Sequence, residues 1–229
     1  MEQLEFTILM PCLNEEKTVG SCIREAMEYI RRHELSAEVL IADNGSSDRS
    51  VEIAEALGAR VAVISEKGYG SALRGGIREA RGRYIILGDS DCSYDFSQLD
   101  GFVEKLREGY PLVMGNRLRG NIEKGAMPWL HRYFGVPFLS WVGRLRYRTD
   151  VGDFHCGIRG FDRERAMELN FQCPGMEFAS EMIGAFAESG AAIAGIPVPL
   201  RKDGREGRGH LRSFRDGWRH LRYMLWGIH

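Results

Sequence analysis

Four apolar runs in the first 91 residues each end in a polar cluster, and helical patterns separate them. The runs are Phe6–Met10, Ala37–Ala42, Val61–Ile64 and the stretch from Arg83 through Tyr-Ile-Ile-Leu to Gly88. The clusters are Asn14-Glu15-Glu16, Asp43-Asn44, Lys67-Gly68 and Asp89-Ser90-Asp91. Between them, Val19, Cys22, Ile23, Ala26, Met27 and Ile30 recur at helical spacing, as do Val51, Ile53, Ala54 and Leu57. A third helix should run from the Gly-rich loop after Lys67 through Ala80. Ser47 or Asp48 can cap the second helix, and Gly58 stops it. Helical crossovers between continuous apolar strands imply a mostly parallel sheet covered by helices on both faces. In such sheets ligands bind beyond the carboxyl ends of the strands. All four polar clusters lie at those ends.

The second half is less regular. A helix is expected from about Phe96 to Arg107, then a strand at Leu112–Gly115. A Gly-rich loop follows Asn116-Arg117, and Trp129–Tyr147 mixes apolar and basic residues. Asp153 to Phe161 reads as a loop and short strand, and Glu177 to Glu188 as a helix with Glu177 and Glu181 on one face. Ile193 to Leu200 reads as a strand, followed by a basic loop from Arg201 and a helix from about Phe214. No repeat or linker divides the chain. At 229 residues it is expected to form one α/β domain.

The Asp89-Ser90-Asp91 cluster carries the most chemistry. A buried strand that runs into Asp-x-Asp presents carboxylate oxygens at the open edge of a sheet. Mg²⁺ and Mn²⁺ prefer oxygen ligands and bridge protein carboxylates to substrate phosphates. The stretch 88–91 is therefore a candidate metal-diphosphate site. Lys67-Gly68-x-Gly70 precedes a helix, where backbone N–H groups and a lysine can approach anions. It is neither a Walker loop nor Gly-x-Gly-x-x-Gly. With a net charge of −1 the chain has no global field for nucleic acid, and none is expected as a partner.

Three motifs, taken together, resemble the family-2 glycosyltransferases of GT-A fold. They are Met10-Pro-Cys-Leu-Asn-Glu-Glu16, Ile41-Ala-Asp-Asn-Gly-Ser-Ser-Asp48 and Gly88-Asp-Ser-Asp91. The second half is similar to the polyprenyl-phosphate branch, the dolichyl-phosphate mannose and glucose synthases. It matches through Met114-Gly-Asn-Arg117, Asp153-Phe-His-Cys-Gly-Ile-Arg-Gly-Phe161 and Met176-Glu-Phe-Ala-Ser-Glu-Met182. The resemblance implies a Rossmann-like half over residues 1–115 that binds a nucleoside-diphosphate sugar. Residues 116–212 would form the acceptor half, and residues 213–229 read, from their own mix of apolar, aromatic and basic side chains, as a membrane-interface helix. It also implies Mg²⁺ or Mn²⁺ as cofactor, polyprenyl (dolichyl or undecaprenyl) phosphate as acceptor, and inversion at the sugar C1.

Residue roles follow. Asp91, the second carboxylate of the motif, is the expected metal ligand, with Asp89 bound through water or contacting ribose and Ser90 between them. Asp43 can accept from the N–H of uracil or guanine. Glu15 can orient base or ribose beside Asn14, and Pro11 shapes the loop. Lys67 and Gly68 approach the diphosphate. A hydroxyl acceptor needs a general base, for which Asp153 and Glu181 are the candidates. A phosphate acceptor is already anionic and needs cations, ideally forked arginines. The cluster Arg201, Lys202, Arg205, Arg208, His210 and Arg212 can supply these. The resemblance implies that Arg117 and Arg159 also face the phosphate.

Two alternatives stand beside this reading. One is a glycosyltransferase acting on a soluble sugar or small hydroxyl compound; another is a non-catalytic nucleotide-sugar-binding module. A sugar-nucleotide nucleotidyltransferase would open with a basic Gly-rich loop, and Asn14-Glu15-Glu16 has the wrong charge. Five cysteines, without a Cys-x-x-Cys pair, favour a reducing compartment over a disulfide framework. Cys156 reads as a structural thiol. Glu2 and Glu5 argue against a leader, and no apolar run is long enough to span a bilayer. The expected location is the cytoplasmic face of a membrane, by peripheral contact. The segment from Phe214 to Trp226 suits that contact, with Trp at headgroup level and Arg snorkelling. Homo-oligomerisation is left open.

Overall fold

The structure, a computed structural model, describes residues 4–205 and 213–227. A seven-stranded sheet has the order β3-β2-β1-β4-β6-β5-β7. In chain order the elements begin with β1 (Phe6–Cys12), α1 (Val19–Arg32), β2 (Ala37–Asp43), α2 (Ser50–Ala56), β3 (Arg60–Val63), α3 (Tyr69–Glu79) and β4 (Tyr84–Leu87). There follow α4 (Asp100–Arg107), β5 (Leu112–Asn116), α5 (Val136–Tyr147), β6 (Arg159–Asp162), α6 (Arg163–Glu168), α7 (Phe178–Glu188), β7 (Ile193–Pro197) and α8 (Ser213–Trp226). All pairings are parallel except those of β6, which runs antiparallel to β4 and β5.

The continuous apolar runs explain the centre. Every residue of β4 is buried, and β1 is buried except at Pro11. A strand covered on both faces needs apolar residues at consecutive positions rather than alternate ones. Helix α1 buries Val19, Cys22, Ile23, Ala26 and Tyr29 against it, the stripe its periodicity predicts.

Several boundaries move for identifiable reasons. The helix expected from Phe96 begins at Asp100, because Asp95 folds the preceding segment into a turn. Its Oδ1 accepts from the Ser97 N–H at 3.0 Å and the Ser97 hydroxyl at 2.5 Å. Such local side-chain bonds compete with helix. Helix α2 starts at Ser50, and Asp48 accepts from the Ser50 N–H at its first residue. The last strand ends at Pro197, leaving Leu200 in an isolated bridge to Ile122. Glu177 lies just before α7 rather than within it. Helix α6 has no counterpart in the sequence reading; Asp162 caps it by accepting from the Arg165 N–H.

This topology places the site. The carboxyl ends of β1 to β5 and β7 reach one rim, and the antiparallel β6 brings its amino end there, with Arg159 opposite Leu87. The segments 152–158 and 198–205 therefore join the four polar clusters. Among the described residues no helix is long and apolar enough to cross a membrane.

Candidate active site

The acidic end of β4 is largely enclosed, with Ser90 and Asp91 buried and Asp89 half-buried. Asp89 Oδ1 accepts from the Tyr69 hydroxyl at 2.9 Å. Burial, and then the charge of Asp91, push the Asp89 carboxyl up to about 6. Asp91 Oδ1 accepts from the Ser93 N–H at 2.9 Å, and its Oδ2 lies 3.4 Å from Arg205 Nη2. Ser90 does not face outward: its hydroxyl donates to the Pro11 carbonyl at 2.7 Å and staples β4 to β1. Gly157, at the approach to β6, abuts Asp89, because a Cβ there would lie 2.3 Å from Asp89 Oδ2.

The other strand ends are knitted together. Asn14, at φ +58°, accepts from the Ser47 N–H at 2.8 Å. The Asp43 carboxylate accepts from the N–H groups of Gly45 and Ser46, so it holds its own turn as well as ending β2. Asn44 accepts from the Gly68 N–H at 2.8 Å, and Lys67 Nζ donates to the Asn44 carbonyl at 2.7 Å. Gly68 takes φ +129° and sits against the Pro174 carbonyl, where a Cβ would clash at 2.2 Å. Lys67 and Gly68 thus link the β2 and β3 ends beside the start of α3.

The C-terminal strap closes over this rim. Arg205 Nε donates to both oxygens of Glu15 at 2.8 and 3.0 Å, and its Nη2 lies 2.7 Å from Glu15 Oε1. The Gly204 N–H donates to the Asp91 carbonyl at 2.9 Å. Arg201 pairs with Glu25 at 2.6 Å and with Asp95. The Arg205 guanidinium therefore bridges the carboxylates of the first and fourth strand ends. Arg208, His210 and Arg212 lie outside the described residues.

The second half of the chain contributes a buried ion pair. Arg117 Nε and Nη2 grip Asp153 at 2.7 and 2.8 Å, and the Asp153 side chain is fully buried. Asp153 also accepts from the His155 N–H at 3.2 Å. Arg159 lies beneath the rim at 2 % exposure, donating to the Cys156 carbonyl at 2.7 Å and the Ala179 carbonyl at 3.2 Å. Glu181 accepts from the N–H groups of Gln172 and Cys173 at 2.7 and 2.9 Å and so closes the segment before α7. Both residues read from the sequence as general bases are engaged by neighbours, and Glu177 pairs with Arg219 at 2.8 Å.

Several residues escaped the sequence reading. Tyr69 and Tyr94 are among them; the Tyr94 hydroxyl accepts from the Gly157 N–H at 2.7 Å. Another group is His155, Ser180 and His220, with Ser180 Oγ 3.4 Å from His155 Nε2 and 3.0 Å from His220 Nδ1. Burial, and then His220, hold the His155 imidazole well below its usual range. None of these has a local signal, because each meets its partner across long separations. Among the described residues no group of three or more His, Cys, Asp or Glu side chains gathers at metal-binding distance. Asp89 and Asp91 nevertheless suit a cation that takes one or two carboxylates and completes its shell with water and phosphate. The crowded charge on Asp89 and the arginine standing beside Asp91 both mark a place where positive charge is favoured.

An acidic rim on a mostly parallel sheet with one antiparallel insertion is the architecture of the GT-A glycosyltransferases. Solved structures agree: glucosyl-3-phosphoglycerate synthase from Mycobacterium tuberculosis, bound to phosphoglyceric acid, superposes with a TM-score of 0.77 at 23% identity. That match covers 97% of this chain and 79% of the other. The same synthase has been crystallised with Mn²⁺, uridine diphosphate and glucosyl-3-phosphoglycerate. The chain belongs to glycosyltransferase family 2, whose sequence model (Glycosyl transferase family 2) matches residues 7–169. Two Haloferax volcanii proteins are similar. The low-salt glycan biosynthesis hexosyltransferase Agl6 is 41% identical over 221 residues, 96% of this chain and 52% of that protein. A dolichyl-phosphate hexose transferase is 31% identical over 215 residues, 93% of this chain and 89% of that protein. The chain thus spans about half the length of Agl6.

Proposed function

We propose that this chain transfers a hexosyl group from a nucleoside-diphosphate sugar to a polyprenyl phosphate at a membrane surface, with inversion at C1. The observation that carries the lipid acceptor is an exposed aromatic face in the acceptor half. Trp129, Leu130, Tyr133, Phe134, Phe138, Trp141 and Leu145 are all more than half exposed, Trp129 at 65 %. The stretch 124–149 holds five Lys and Arg residues and no Asp or Glu. Helix α8 packs on α5 and adds exposed Trp218 and Trp226. Apolar area of this size is unusual on a protein surface facing water, and aromatic residues mixed with arginine suit a headgroup layer. The relative that is a dolichyl-phosphate hexose transferase supports the same reading.

The donor lies across the ends of β1, β2 and β4, with the base near Asp43 and Glu15 and the diphosphate near Lys67, Gly68 and Asp91. Asp91, assisted by Asp89, would hold a divalent cation, Mg²⁺ or Mn²⁺. When bound, it neutralises charge on the leaving nucleoside diphosphate. Tyr69 fixes Asp89 by hydrogen bond, and Ser90 holds the loop to β1. A phosphate acceptor requires no proton to be removed. That fits a site whose two candidate bases are taken up, Asp153 by Arg117 and Glu181 by backbone N–H groups. The acceptor oxygen attacks C1 opposite the diphosphate, which leaves with the bonding electron pair. Arg117, rigid on Asp153, and Arg205, released from Asp91 as the donor enters, supply the positive charge; Arg159 braces the floor beneath.

The test is a phase-partition assay with radiolabelled UDP-glucose and GDP-mannose, Mn²⁺ or Mg²⁺, and polyprenyl phosphate or 3-phosphoglycerate as acceptor. The expected result is label in the organic phase, dependent on the lipid. Label in a water-soluble product with 3-phosphoglycerate alone would move the acceptor to the soluble class.

A further inference from the structure

Two thiols meet directly behind the candidate metal ligand. Cys22, on the buried face of α1, has its Sγ 3.7 Å from the Sγ of Cys92, the residue that follows Asp91. Cys22 is fully enclosed, whereas Cys92 is half-buried and reachable from solvent. Cys92 takes φ +66°, so the chain reverses there, and its Sγ also approaches the Thr18 carbonyl at 3.6 Å. Cys12 and Cys156 have hydroxyl neighbours instead, Ser46 and Tyr94.

The surroundings couple this pair to the site. Thr18 precedes α1, and its hydroxyl donates to Glu15 Oε2 at 3.1 Å. Gly204 lies against Cys92, since a Cβ there would come within 3.4 Å of Cys92 Cβ. The Gly204 N–H holds the Asp91 carbonyl, and the adjoining Arg205 bridges Glu15 and Asp91. A shift of the Cys92 backbone toward α1 would therefore bear on Asp91 and on the strap that lies on it.

We propose that Cys22 and Cys92 are a redox modification site, and that their disulfide switches off the cation site at Asp91. The oxidant is a hydroperoxide. The Cys92 thiolate attacks the peroxide oxygen, the O–O bond breaks, and Cys92 becomes a sulfenic acid with loss of hydroxide, which takes up a proton. The buried Cys22 thiol then attacks the Cys92 sulfur, its proton passing to the departing hydroxyl, so that the S–S bond forms and water leaves. Two thiols and one hydrogen peroxide give one disulfide and two waters. The sulfurs close from 3.7 Å to about 2.05 Å. That movement draws Cys92 toward α1 and carries the adjoining Asp91 out of register with Asp89. In a reducing compartment such a bond is transient and regulatory rather than structural. The effect on the cation rests on the metal role proposed for Asp91; the bond itself does not.

The experiment treats the reduced protein with a stoichiometric excess of hydrogen peroxide, blocks free thiols, and maps non-reduced peptides by mass spectrometry. Mn²⁺ binding is followed by electron paramagnetic resonance before oxidation, after it, and after dithiothreitol. The expected result is a peptide pair joining Cys22 to Cys92 and a fall in Mn²⁺ affinity of at least about tenfold, the scale of losing a supporting shell around a metal. Dithiothreitol should restore both, and Cys22→Ser and Cys22→Ala should each bind Mn²⁺ normally before oxidation and yield no linked peptide after it. No linked peptide, or a linked peptide with unchanged Mn²⁺ affinity, overturns the proposal. Reduced protein that binds no Mn²⁺ contradicts the metal role instead, and the linked peptide then decides the thiol chemistry alone.

Discussion

Replacing Arg205 by Gln should make the free protein bind Mn²⁺ more tightly while weakening the donor. The guanidinium sits 3.4 Å from Asp91 and is also held by Glu15 and Asp203, so in the absence of ligand it occupies the field a cation would use. At 3.4 Å, one charge pair is worth about 1.2 kcal/mol at the dielectric of water and about 5 kcal/mol at an effective value near 20. Arg205 is partly exposed, so screening favours the lower end. Removing about 1 kcal/mol of competition corresponds to roughly fivefold tighter Mn²⁺ binding. Glutamine keeps a polar stem but no charge, so Glu15 and Asp91 are left to repel each other, which also favours a cation. Electron paramagnetic resonance titration of Mn²⁺ without nucleotide reads the first effect. A donor titration at saturating Mn²⁺ reads the second, because the variant has no guanidinium to reach the diphosphate. Unchanged or weaker Mn²⁺ binding in the variant would refute the idea that Arg205 holds the cation's place.

Other perturbations have definite outcomes. Asp153→Asn leaves the Arg117 charge buried without its partner and should cost about 3–5 kcal/mol, read by urea unfolding. Gly157→Ala places a methyl 2.3 Å from Asp89 Oδ2 and 2.9 Å from the Tyr94 ring. It should lower transfer strongly with an overpacking cost of about 1–3 kcal/mol in stability, read by comparing turnover with melting temperature. His155 is kept neutral by burial, so its folded pKa lies below its unfolded value. The unfolded chain then takes up a proton that the folded chain does not as pH falls below about 6.5, and stability is lost in that direction. One such group contributes a slope of up to about 1.4 kcal/mol per pH unit. Unfolding at pH 7.5 and 5.5 should show this loss, reduced in His155→Asn.

The first half of the fold was legible because β4, β1 except at Pro11 and β2 from Val39 onward are buried and so read as largely apolar runs. Their polar ends align from the pattern alone, since parallel strands bring like ends to one rim. The second half was harder. Strand β6 is four residues, Arg159-Gly-Phe-Asp162, and its reversed direction depends on pairing with β4 and β5 far away in the chain. The same distance hid the partners of the charged groups. Nothing local couples Arg117 to Asp153, 36 residues on, or Glu15 to Arg205, 190 residues on. Residue type suggested cations for phosphate at Arg117 and bases at Asp153 and Glu181; only geometry reveals what each carboxylate already holds. The aromatic content of Trp129–Tyr147 was plain, but its exposure was not, because an apolar stretch of that length is as readily buried.

The central claim is that the acidic end of β4 acts as a cation-assisted donor site. Its most direct test is sugar transfer to polyprenyl phosphate by the native protein and by Asp91→Asn, each with Mn²⁺ and with excess EDTA. Abolished transfer in EDTA, restored by Mn²⁺ in the native protein but not in the variant, with melting temperatures alike, is the predicted result. Undiminished turnover in EDTA, or a fully active Asp91→Asn, would contradict it.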